Sequence, residues 1–492
     1  MTKEMNAGEI DMVVKRSQDS FQHYRLISGV EKAKFLEAIA TEIEALGHLL
    51  ITQAMEETNL PEARLAGERT RTCSQLRQFA ALVKEGSWVD ARIDTAIPDR
   101  TPLPKADIRK MMVPLGPVVV FGASNFPFAY STAGVDTASS LAAGCPVILK
   151  AHPAHTLTSD LVAGAIAKAC EKTGMHQYVF QHVHGTSFEL GKMLVQHPLT
   201  KAVGFTGSFS GGKALYDYAS QRPEPIPVFA EMGSINPVFI LPAALKVRSE
   251  KVAEAYAASI TLSVGQFCTN PGLLLSVQSP ELAAFTKQLG EKLKMIAPAT
   301  MLHSGIASNF RKNREKALAQ KGVKLVAESQ EKAKENQGMS TLATVRAADF
   351  LANPQLVEEV FGPYSLLVEA GNMEELKETV RHMPGQLTAT IIGEEEEIVR
   401  HADFIQLVTE KVGRVIINGV PTGVEVCPSM QHGGPFPATT DSRFTSVGID
   451  AIKRFVRPLC FQNFPEALLP AELKSRNTLG IWRMVNSTWT QA

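Results

Sequence analysis

The chain has 492 residues, of which 45% are hydrophobic and 20% charged, and its 50 lysines and arginines balance 50 aspartates and glutamates. This length exceeds the size at which one hydrophobic core usually stops growing, so two or more domains are expected. The formal net charge is zero and no basic run is visible, which argues against a nucleic-acid-binding face and against binding to anionic membranes.

The N-terminal twenty residues contain no apolar core of signal-peptide length. No later stretch reaches the roughly 18 uninterrupted apolar residues that a membrane-spanning helix needs. The cysteines are scattered without a CxxC pair, as is typical of free thiols in a reducing compartment. We therefore expect a cytoplasmic protein with no membrane partner, in which a cysteine is by default a small buried hydrophobe.

Residues 1–90 are predicted to be mainly helical, because apolar residues recur at helical spacing. From Pro114 onward, apolar strands alternate with helical stretches, which is typical of βαβ units and a buried parallel sheet. The predicted strands are Pro117–Phe121, Pro146–Leu149, Tyr178–Phe180, Ala202–Phe205 and Pro227–Ala230. The predicted helices run from about Ala129 to Ala143, Ser159 to Lys172, Phe188 to Gln196 and Gly212 to Ser220.

A second set of α/β elements follows. Its predicted strands are Asn236–Leu241, Ser365–Val368 and Arg414–Ile417, and a helix is predicted at Lys251–Leu262. Residues 310–345 are rich in Lys, Glu and Gln and are interpreted as solvated surface. The tail after Phe455 is marked by prolines and predicted to be irregular, with apolar residues that could pack on another subunit.

Chemistry is expected in the loops after the strands, because a parallel α/β sheet binds its ligands beyond the carboxyl ends of its strands. Asn125 follows the first predicted strand between polar and aromatic neighbours and could donate its amide to an oxyanion; the alternative is a turn or helix-capping residue. Lys150 ends the next strand and could bind a ribose or phosphate, or be an ordinary strand-end lysine.

The segment from Phe205 to Gly212 is a glycine-rich strand-to-helix loop, whose free N–H groups would suit a pyrophosphate. It is not a GxGxxG motif, so this signal alone is weak. Glu231 ends an apolar strand, where desolvation would raise the pKa of its carboxyl and make it a plausible base. Cys268 lies in a loop marked by Gly and Pro beyond a helix, the partly exposed setting that a reactive thiolate needs.

Two histidine pairs, His182 with His184 and His152 with His155, are not interpreted as metal sites. Neither has a third ligand at a recognisable spacing. No metal is expected.

The identity and order of these signals together resemble the aldehyde dehydrogenase family over about residues 100–460. The motifs that carry the resemblance are N-F-P at Asn125–Pro127, the strand-ending Lys150, F-T-G-S at Phe205–Ser208, E-M-G-S at Glu231–Ser234, G-Q-F-C at Gly265–Cys268 and E-V-F-G-P at Glu359–Pro363. Within the superfamily the chain looks most like the α-ketoglutaric semialdehyde (2,5-dioxopentanoate) dehydrogenases, on the segments Phe121–Pro127, Gly144–Val147 and His432–Pro435.

The resemblance implies an α/β fold with a Rossmann-type dinucleotide-binding domain (residues 1–91 and 116–240), a catalytic domain (241–455) and an oligomerisation segment (92–115 and 456–492). It also implies a homodimer or homotetramer.

For the chemistry, the resemblance implies that Cys268 attacks an aldehyde and that Asn125 and the Cys268 N–H hold the oxyanion. Glu231 would then activate the water that hydrolyses the thioester. Lys150 and Glu359 would bind the riboses. Gly207, Ser208 and Gly212 would belong to the pyrophosphate loop, and Phe361 would pack near the nicotinamide.

NADP is the expected cofactor, with NAD accepted more weakly. NAD-preferring relatives often place a glutamate three residues after the strand-ending lysine, and Pro153 stands there in this chain. Without that carboxylate a 2′-phosphate is not repelled, and His152 or Lys150 could donate to it. Alternatively, Pro153 merely shapes a turn.

For a semialdehyde substrate, Phe126, Phe267 and Phe436 are predicted to form apolar walls and Arg443 to anchor the distal carboxylate. The alternative for Arg443 is an ion pair with Asp441 or another surface acid. Other functions remain open: a broad-specificity aldehyde dehydrogenase for aliphatic aldehydes, a CoA-acylating relative, or a non-catalytic binding protein on the same scaffold. Retention of Glu231 argues against CoA acylation, and retention of all three reacting residues argues against a non-catalytic protein.

Overall fold

The computed structural model describes residues 4–492. Its helices are α1 Ala7–Tyr24, α2 Gly29–Ala45, α3 Gly47–Thr58, α4 Glu62–Glu85, α5 Val135–Ala143, α6 Thr156–Thr173, α7 Phe188–Gln196, α8 Phe209–Ser220, α9 Pro242–Thr261, α10 Pro280–Lys294, α11 Ser304–Leu318, α12 Ala347–Leu351, α13 Met373–His382, α14 Glu395–Arg400 and α15 Ala402–Thr409. Its strands are β1 Arg92–Asp94, β2 Ile108–Pro114, β3 Val118–Phe121, β4 Val147–Lys150, β5 Phe180–Val183, β6 Ala202–Thr206, β7 Val228–Glu231, β8 Val238–Ile240, β9 Leu273–Val277, β10 Ala299–Thr300, β11 Lys324–Glu328, β12 Gln337–Gly338, β13 Thr341–Arg346, β14 Tyr364–Ala370, β15 Gln386–Ile392, β16 Val412–Ile417, β17 Val456–Gln462, β18 Arg483–Val485 and β19 Thr488–Thr490.

The first sheet contains parallel strands in the order β5-β4-β3-β6-β7. Strands β3 and β4 are apolar and largely buried, because helices cover both faces of a doubly wound sheet. All its strands end at the same edge, so Lys150 at the end of β4 and Glu231 at the end of β7 belong to that edge. The predicted Rossmann-type α/β fold is confirmed.

The N-terminal helices confirm the helical prediction over the described part of residues 1–90. Helix α2 begins with a capping box in which Ser28 and Glu31 bind each other's backbone N–H groups. Helix α4 ends at Gly86, which adopts the left-handed conformation that glycine tolerates. Phe35 and Phe79 from these helices are fully buried in the same hydrophobic cluster as the first sheet.

The second sheet has the order β11-β13-β14-β9-β8-β15-β16, with β11 antiparallel at its edge. Strand β8 lies between β9 and β15 and is parallel to both. The chain therefore enters the second sheet at Val238, one strand before the predicted domain boundary at residue 240.

The predicted helix from about Ala129 to Ala143 is also shorter than expected, since α5 begins only at Val135. The N–H groups of Phe128 and Ala129 donate to the Glu68 side chain, at 2.8 and 2.9 Å, instead of entering a helix. Turns therefore occupy residues 127–134.

Residues 310–345 are not simply solvated surface, contrary to the sequence interpretation. Helix α11 and the mostly exposed strand β11 agree with the interpretation as solvated surface. Strand β13, however, is largely buried and pairs in parallel with β14. The polar composition of the preceding helix and loop concealed this short apolar strand.

The third sheet, in the order β17-β2-β1-β18-β19, joins the two segments predicted for oligomerisation, 92–115 and 456–492. The tail is more regular than expected, because β17 pairs with β2 along its whole length. Within residues 4–492, no helix combines the length and apolarity needed to cross a bilayer.

Candidate active site

The end of strand β7 is held on two sides. Glu231 pairs with Thr206 in β6, and its carbonyl accepts the N–H of Gly207 at 3.0 Å. On the open side it forms an antiparallel bridge with Thr439, while the Met232 N–H donates to the Ala438 carbonyl at 2.8 Å. A loop from the second half of the chain thus fixes the position of the Glu231 carboxylate.

The turn before Cys268 is strained. Ser263, Val264 and Gly265 all have positive φ, of 48°, 59° and 65°, and a β-branched residue is rarely found there. Glycine is required at position 265, because a Cβ would lie 2.3 Å from the Gly362 carbonyl carbon. The Asn236 amide holds the next part of the loop by donating to the Cys268 carbonyl at 2.8 Å.

Cys268, His432 and Glu231 form a connected cluster. The His432 Nε2 lies 3.4 Å from the Cys268 Sγ and 3.1 Å from the Glu231 Oε1. The other Glu231 oxygen accepts a hydrogen bond from the Ser446 hydroxyl. His432 and Glu231 are almost completely buried, whereas Cys268 is partly exposed. A histidine in contact with both a thiol and a carboxylate can move a proton between them.

The charges of this cluster favour a neutral thiol beside an ionised carboxylate. Burial raises the pKa of Cys268 well above its usual value, and the adjacent Glu231 raises it further. Burial also acts to raise the pKa of Glu231, but the charge of His432 and hydrogen bonds from His432, Ser446 and Cys268 outweigh it and lower the pKa. The expectation of a raised Glu231 pKa is therefore wrong: desolvation is present, but the hydrogen bonds to the ionised form prevail.

Asn125 lies beside the nucleophile. It is buried, and its Nδ2 donates to the Gln266 carbonyl at 3.2 Å. Its second amide hydrogen and the backbone N–H of Cys268 are the donors that an oxyanion on the substrate would require. The structure thus brings together the three residues for which the sequence predicted reacting roles.

The sequence reasoning missed His432, Ser446 and Asn236 as site residues. His432 lies in a segment that carries the resemblance to relatives, but no spacing marks it as reactive, and Ser446 lies more than two hundred residues from Glu231 in the chain. The one available signal was a histidine followed by two glycines and a proline, a loop that permits close backbone approach. Side-chain contacts over such separations leave no periodic pattern in a sequence.

The residues predicted to bind a dinucleotide are suited to one. Ser208 caps helix α8 by accepting from the Gly211 N–H, and Gly207 to Ser210 are exposed, so the first N–H groups of the helix face solvent. A Cβ at Gly212 would meet Met232 at 2.6 Å, so glycine permits close packing of the helix against β7.

Two residues predicted to bind the riboses have few partners within residues 4–492. Lys150 forms no hydrogen bond or ion pair through its side chain, and the Glu359 carboxyl is lined by a single hydrogen-bond donor, the backbone N–H of Ser234. Burial lowers the pKa of Lys150 and raises that of Glu359 to about 8. Glu359 and Phe361 line a narrow cleft together with Ser234 and Gly265. A lysine and a carboxyl with so few partners are free to bind the hydroxyl groups of two riboses.

His152 is a neutral donor rather than a cationic one. Burial lowers its pKa well below the usual value, and the charges of neighbouring His155 and Lys150 act in the same direction. Its Nδ1 accepts the Ala154 N–H at 3.1 Å, which leaves Nε2 to donate. Pro153 beside it is exposed.

The predicted substrate residues divide into two groups. Phe126 and Phe267 pack edge to face, with ring centroids 5.5 Å apart, next to the oxyanion donor and the nucleophile. Phe436 is not with them; it is 56% exposed and pairs with Phe209 at the start of α8, with centroids 6.1 Å apart. The side chain of Arg443 is 78% exposed and donates to Asp441 at 2.8 Å. Asp441 is the surface acid that the alternative interpretation named.

The histidine pair on β5 does have a third potential ligand. Asp160 from α6 lies with His182 and His184, and one donor atom of each lies within 4.8 Å of the others. No spacing in the sequence marks this third residue, because Asp160 lies on α6 and the histidines lie on and just after β5. Each imidazole has one hydrogen bond, of 2.8 Å between His184 and Asp160 and of 2.7 Å between His182 and Ser159.

Residues 1–445 match the family model described as the aldehyde dehydrogenase family. The chain therefore belongs to the aldehyde dehydrogenase family and is an oxidoreductase that oxidises aldehydes with NAD(P).

Two relatives within the family match nearly the whole chain. The chain is 48% identical over 477 residues to the alpha-ketoglutaric semialdehyde dehydrogenase 2 of Azospirillum brasilense, which covers 97% of this chain and 91% of that protein. It is 45% identical over 484 residues to the alpha-ketoglutaric semialdehyde dehydrogenase of Acinetobacter baylyi (strain ATCC 33305 / BD413 / ADP1), covering 98% of this chain and 92% of that protein.

Among solved structures, the glyceraldehyde-3-phosphate dehydrogenase GapN from Methanocaldococcus jannaschii DSM 2661, complexed with NADP, superposes with a TM-score of 0.78 at 19% identity. The superposition covers 94% of this chain and 95% of that one. At this identity the likeness shows the shared fold.

Proposed function

We propose that the enzyme oxidises α-ketoglutaric semialdehyde (2,5-dioxopentanoate) to 2-oxoglutarate. The observation that carries aldehyde oxidation is the contact of His432 with both the Cys268 thiol and the Glu231 carboxylate, 3.4 and 3.1 Å away. The semialdehyde itself is supported by identities of 48% and 45%, over nearly the whole chain, to two enzymes named for this substrate.

In the proposed mechanism Cys268 attacks the aldehyde carbon after its proton passes to His432 or Glu231. This proton transfer is needed because burial disfavours the thiolate in the resting enzyme. The new oxyanion accepts hydrogen bonds from the Asn125 amide and the Cys268 N–H. The nicotinamide, when bound, accepts the hydride that leaves the substrate carbon, and the acyl group remains on Cys268 as a thioester.

Hydrolysis of the thioester completes the reaction. Glu231 takes a proton from water as the water attacks the acyl carbon, and Cys268 leaves. Ser446 and His432 hold the two carboxylate oxygens in position for this step. His432 can return the proton to the departing sulfur, because it contacts both groups.

The cofactor proposed for this chemistry is NADP, with NAD accepted more weakly. Lys150 and Glu359 would hold the riboses, Gly207 and Ser208 the pyrophosphate, and Phe361 would pack near the nicotinamide. The loop after β5 already binds an anionic oxygen, since the N–H groups of Thr186 and Ser187 donate to Glu4 at 3.2 and 2.8 Å.

That carboxylate also acts electrostatically on Lys150, so the loop and the lysine border one anion-binding region. This region, together with Pro153 at the position where NAD-preferring relatives often have a glutamate, supports the proposal that the site accepts the 2′-phosphate of NADP. Measurement of kcat/KM with each cofactor tests this, and a higher value with NAD would refute the preference.

We further propose that the third sheet joins copies of the chain into a homodimer or homotetramer. This part of the chain exposes large apolar side chains that water would otherwise surround: Leu103, Leu468, Leu479, Trp482 and Trp489. Light scattering coupled to size-exclusion chromatography tests the assembly. A monomer at micromolar concentration would contradict it.

The substrate is tested with a panel of aldehydes, assayed with NADP in the presence and absence of CoA. The expected result is the highest kcat/KM with α-ketoglutaric semialdehyde and 2-oxoglutarate as the product, with or without CoA. A CoA thioester as the product would identify an acylating enzyme, and equal efficiency across aliphatic aldehydes would identify a broad-specificity one.

A further inference from the structure

Helix α4 presents two arginines and a glutamate on one face. Arg64, Glu68 and Arg71 are spaced by four and three residues, the spacing that places side chains side by side on a helix. Glu68 is buried, and one of its oxygens accepts the N–H groups of Phe128 and Ala129. Two guanidiniums therefore face one carboxylate that the backbone already engages, so the face carries an excess of positive charge.

The two guanidiniums lie over aromatic rings that flank the reacting groups. The Arg64 Cζ is 5.0 Å from the centroid of Phe126 and 4.9 Å from that of Phe267. The Arg71 Cζ is 6.0 Å from Phe126 and 5.7 Å from Tyr130. Phe126 follows Asn125 and Phe267 precedes Cys268. The positive charge therefore borders the place where the aldehyde must react.

Both arginines have donors that no described residue binds. Arg64 donates to the Asn125 carbonyl at 2.6 Å through Nη2, but its Nη1 is buried without a partner. The Nε of Arg71 is likewise buried without a partner. Within residues 4–492 neither guanidinium has a carboxylate oxygen within 4.0 Å. Buried charged donors are normally satisfied, so these donors are available to a ligand with negatively charged oxygens.

We propose that Arg64 and Arg71 bind the carboxylate of an ω-oxo acid whose aldehyde carbon reaches Cys268. This assignment rests on the proposed function and identifies how its substrate is selected. An extended 2,5-dioxopentanoate separates the aldehyde and carboxyl carbons by four bonds, about 5 Å. The rings of Phe126 and Phe267 contact its methylene groups, while the guanidiniums form charge-assisted hydrogen bonds with its far end.

The assignment replaces Arg443 as the anchor. Arg443 is 78% exposed and forms an ion pair with Asp441, so binding a substrate would require breaking that pair. Of the two new residues, Arg71 makes no hydrogen bond to the catalytic loop in residues 4–492, whereas Arg64 also holds the Asn125 carbonyl. Arg71 is therefore the more selective position to change.

The first experiment compares α-ketoglutaric semialdehyde with pentanal, an uncharged aldehyde of the same chain length. In Arg71→Met, kcat/KM for the semialdehyde should fall on the order of tenfold to a hundredfold, mainly through KM, because a charged hydrogen bond is lost. The value for pentanal should change less than about twofold. Arg64→Met should lower kcat with both substrates and additionally raise KM for the charged one.

Two matched variants serve as controls. Arg77→Met removes another arginine of α4, one that instead pairs with Glu44 at 2.6 Å, and Arg443→Met removes the anchor predicted from the sequence. Neither should alter the ratio of the two substrates. Equal losses for semialdehyde and pentanal in Arg71→Met would make the residue structural, and a selective loss in Arg443→Met would move the anchor there; either result overturns the assignment.

A second experiment needs no turnover and so separates this assignment from the proposed function. Glutarate, a five-carbon dicarboxylate, should protect Cys268 from alkylation by iodoacetamide in the wild-type enzyme, and Arg71→Met should weaken that protection at least about tenfold. Absence of protection, or unchanged protection in the variant, overturns the anion site. A wild-type enzyme that is protected but oxidises pentanal as efficiently as the semialdehyde would instead refute the proposed function alone.

Discussion

The cluster around Cys268 and the residues proposed to bind the cofactor differ in how fully their polar groups are hydrogen-bonded within the protein. At the reacting centre both Glu231 oxygens accept hydrogen bonds, from His432 and Ser446, and His432 also contacts Cys268. Of the residues proposed to bind the cofactor, Lys150 has no side-chain partner in the described chain, and Glu359 has only the backbone N–H of Ser234. Groups that must keep one geometry and one protonation state are satisfied internally, whereas groups that bind an exchangeable molecule are left open to it.

The largest effect that this comparison predicts is at the nucleophile. Cys268→Ala should abolish aldehyde oxidation, because the thiol that forms the thioester is lost. Cofactor binding should be retained, because Lys150 and Glu359 are unchanged. Steady-state NADPH production and fluorescence titration of the cofactor measure the two properties. Cys427→Ala, which changes another partly exposed cysteine, is the control and should remain active. Oxidation by the Cys268 variant would remove it from the mechanism.

Glu231→Gln should still acylate and transfer hydride but turn over slowly, with kcat lowered by about 10²–10⁴, the usual contribution of a general base. Rapid mixing should show an early burst of NADPH. Because the Glu231 charge raises the pKa of Cys268, its removal should lower that pKa. The pH profile of iodoacetamide alkylation should then shift to lower pH. Normal steady-state turnover would show that the carboxylate is not the base.

His432→Asn tests the bridge between the thiol and the carboxylate. We expect kcat to fall by on the order of 10²-fold, because the variant loses the group that can carry a proton between them. The lowering influence of His432 on the pKa of Glu231 would also be lost, so the acidic limb of the pH–rate profile should move to higher pH. His401→Asn, away from the cluster, is the control. An unchanged profile would assign His432 a purely structural role.

The smallest effect concerns Glu359, which lies in the loop before β14. Burial raises its pKa to about 8, so the carboxyl is mainly neutral at pH 7 and ionises as the pH rises through 8. If the ionised form accepts the ribose hydroxyls, cofactor affinity should increase severalfold between pH 7 and 9. Glu359→Gln should abolish this dependence, whereas Glu358→Gln, which alters an exposed neighbour that pairs with Lys316, should retain it. A flat wild-type profile contradicts the role.

Local sequence patterns predicted most of the fold and part of the site. Helix α7 matches the predicted segment, and the strands ending at Lys150 and Glu231 were found because buried parallel strands are continuously apolar. The predicted helix does not begin at Ala129, because Glu68, sixty residues away, accepts hydrogen bonds from the amides that would have begun it. Composition did not show that β8 joins the second sheet, because strand pairing decides which sheet a strand belongs to.

The sequence by itself determined the reacting residue types, their order along the chain and the alternation of strands and helices that places them at strand ends. Only the tertiary structure decided that His432 bridges Cys268 and Glu231, that Glu231 has a lowered rather than a raised pKa, and that Arg443 pairs with Asp441. The physical reason is the separation along the chain over which each kind of interaction acts. Periodicity and turn chemistry act between near neighbours in the chain, whereas desolvation, hydrogen bonds and charge depend on distances in space between segments hundreds of residues apart.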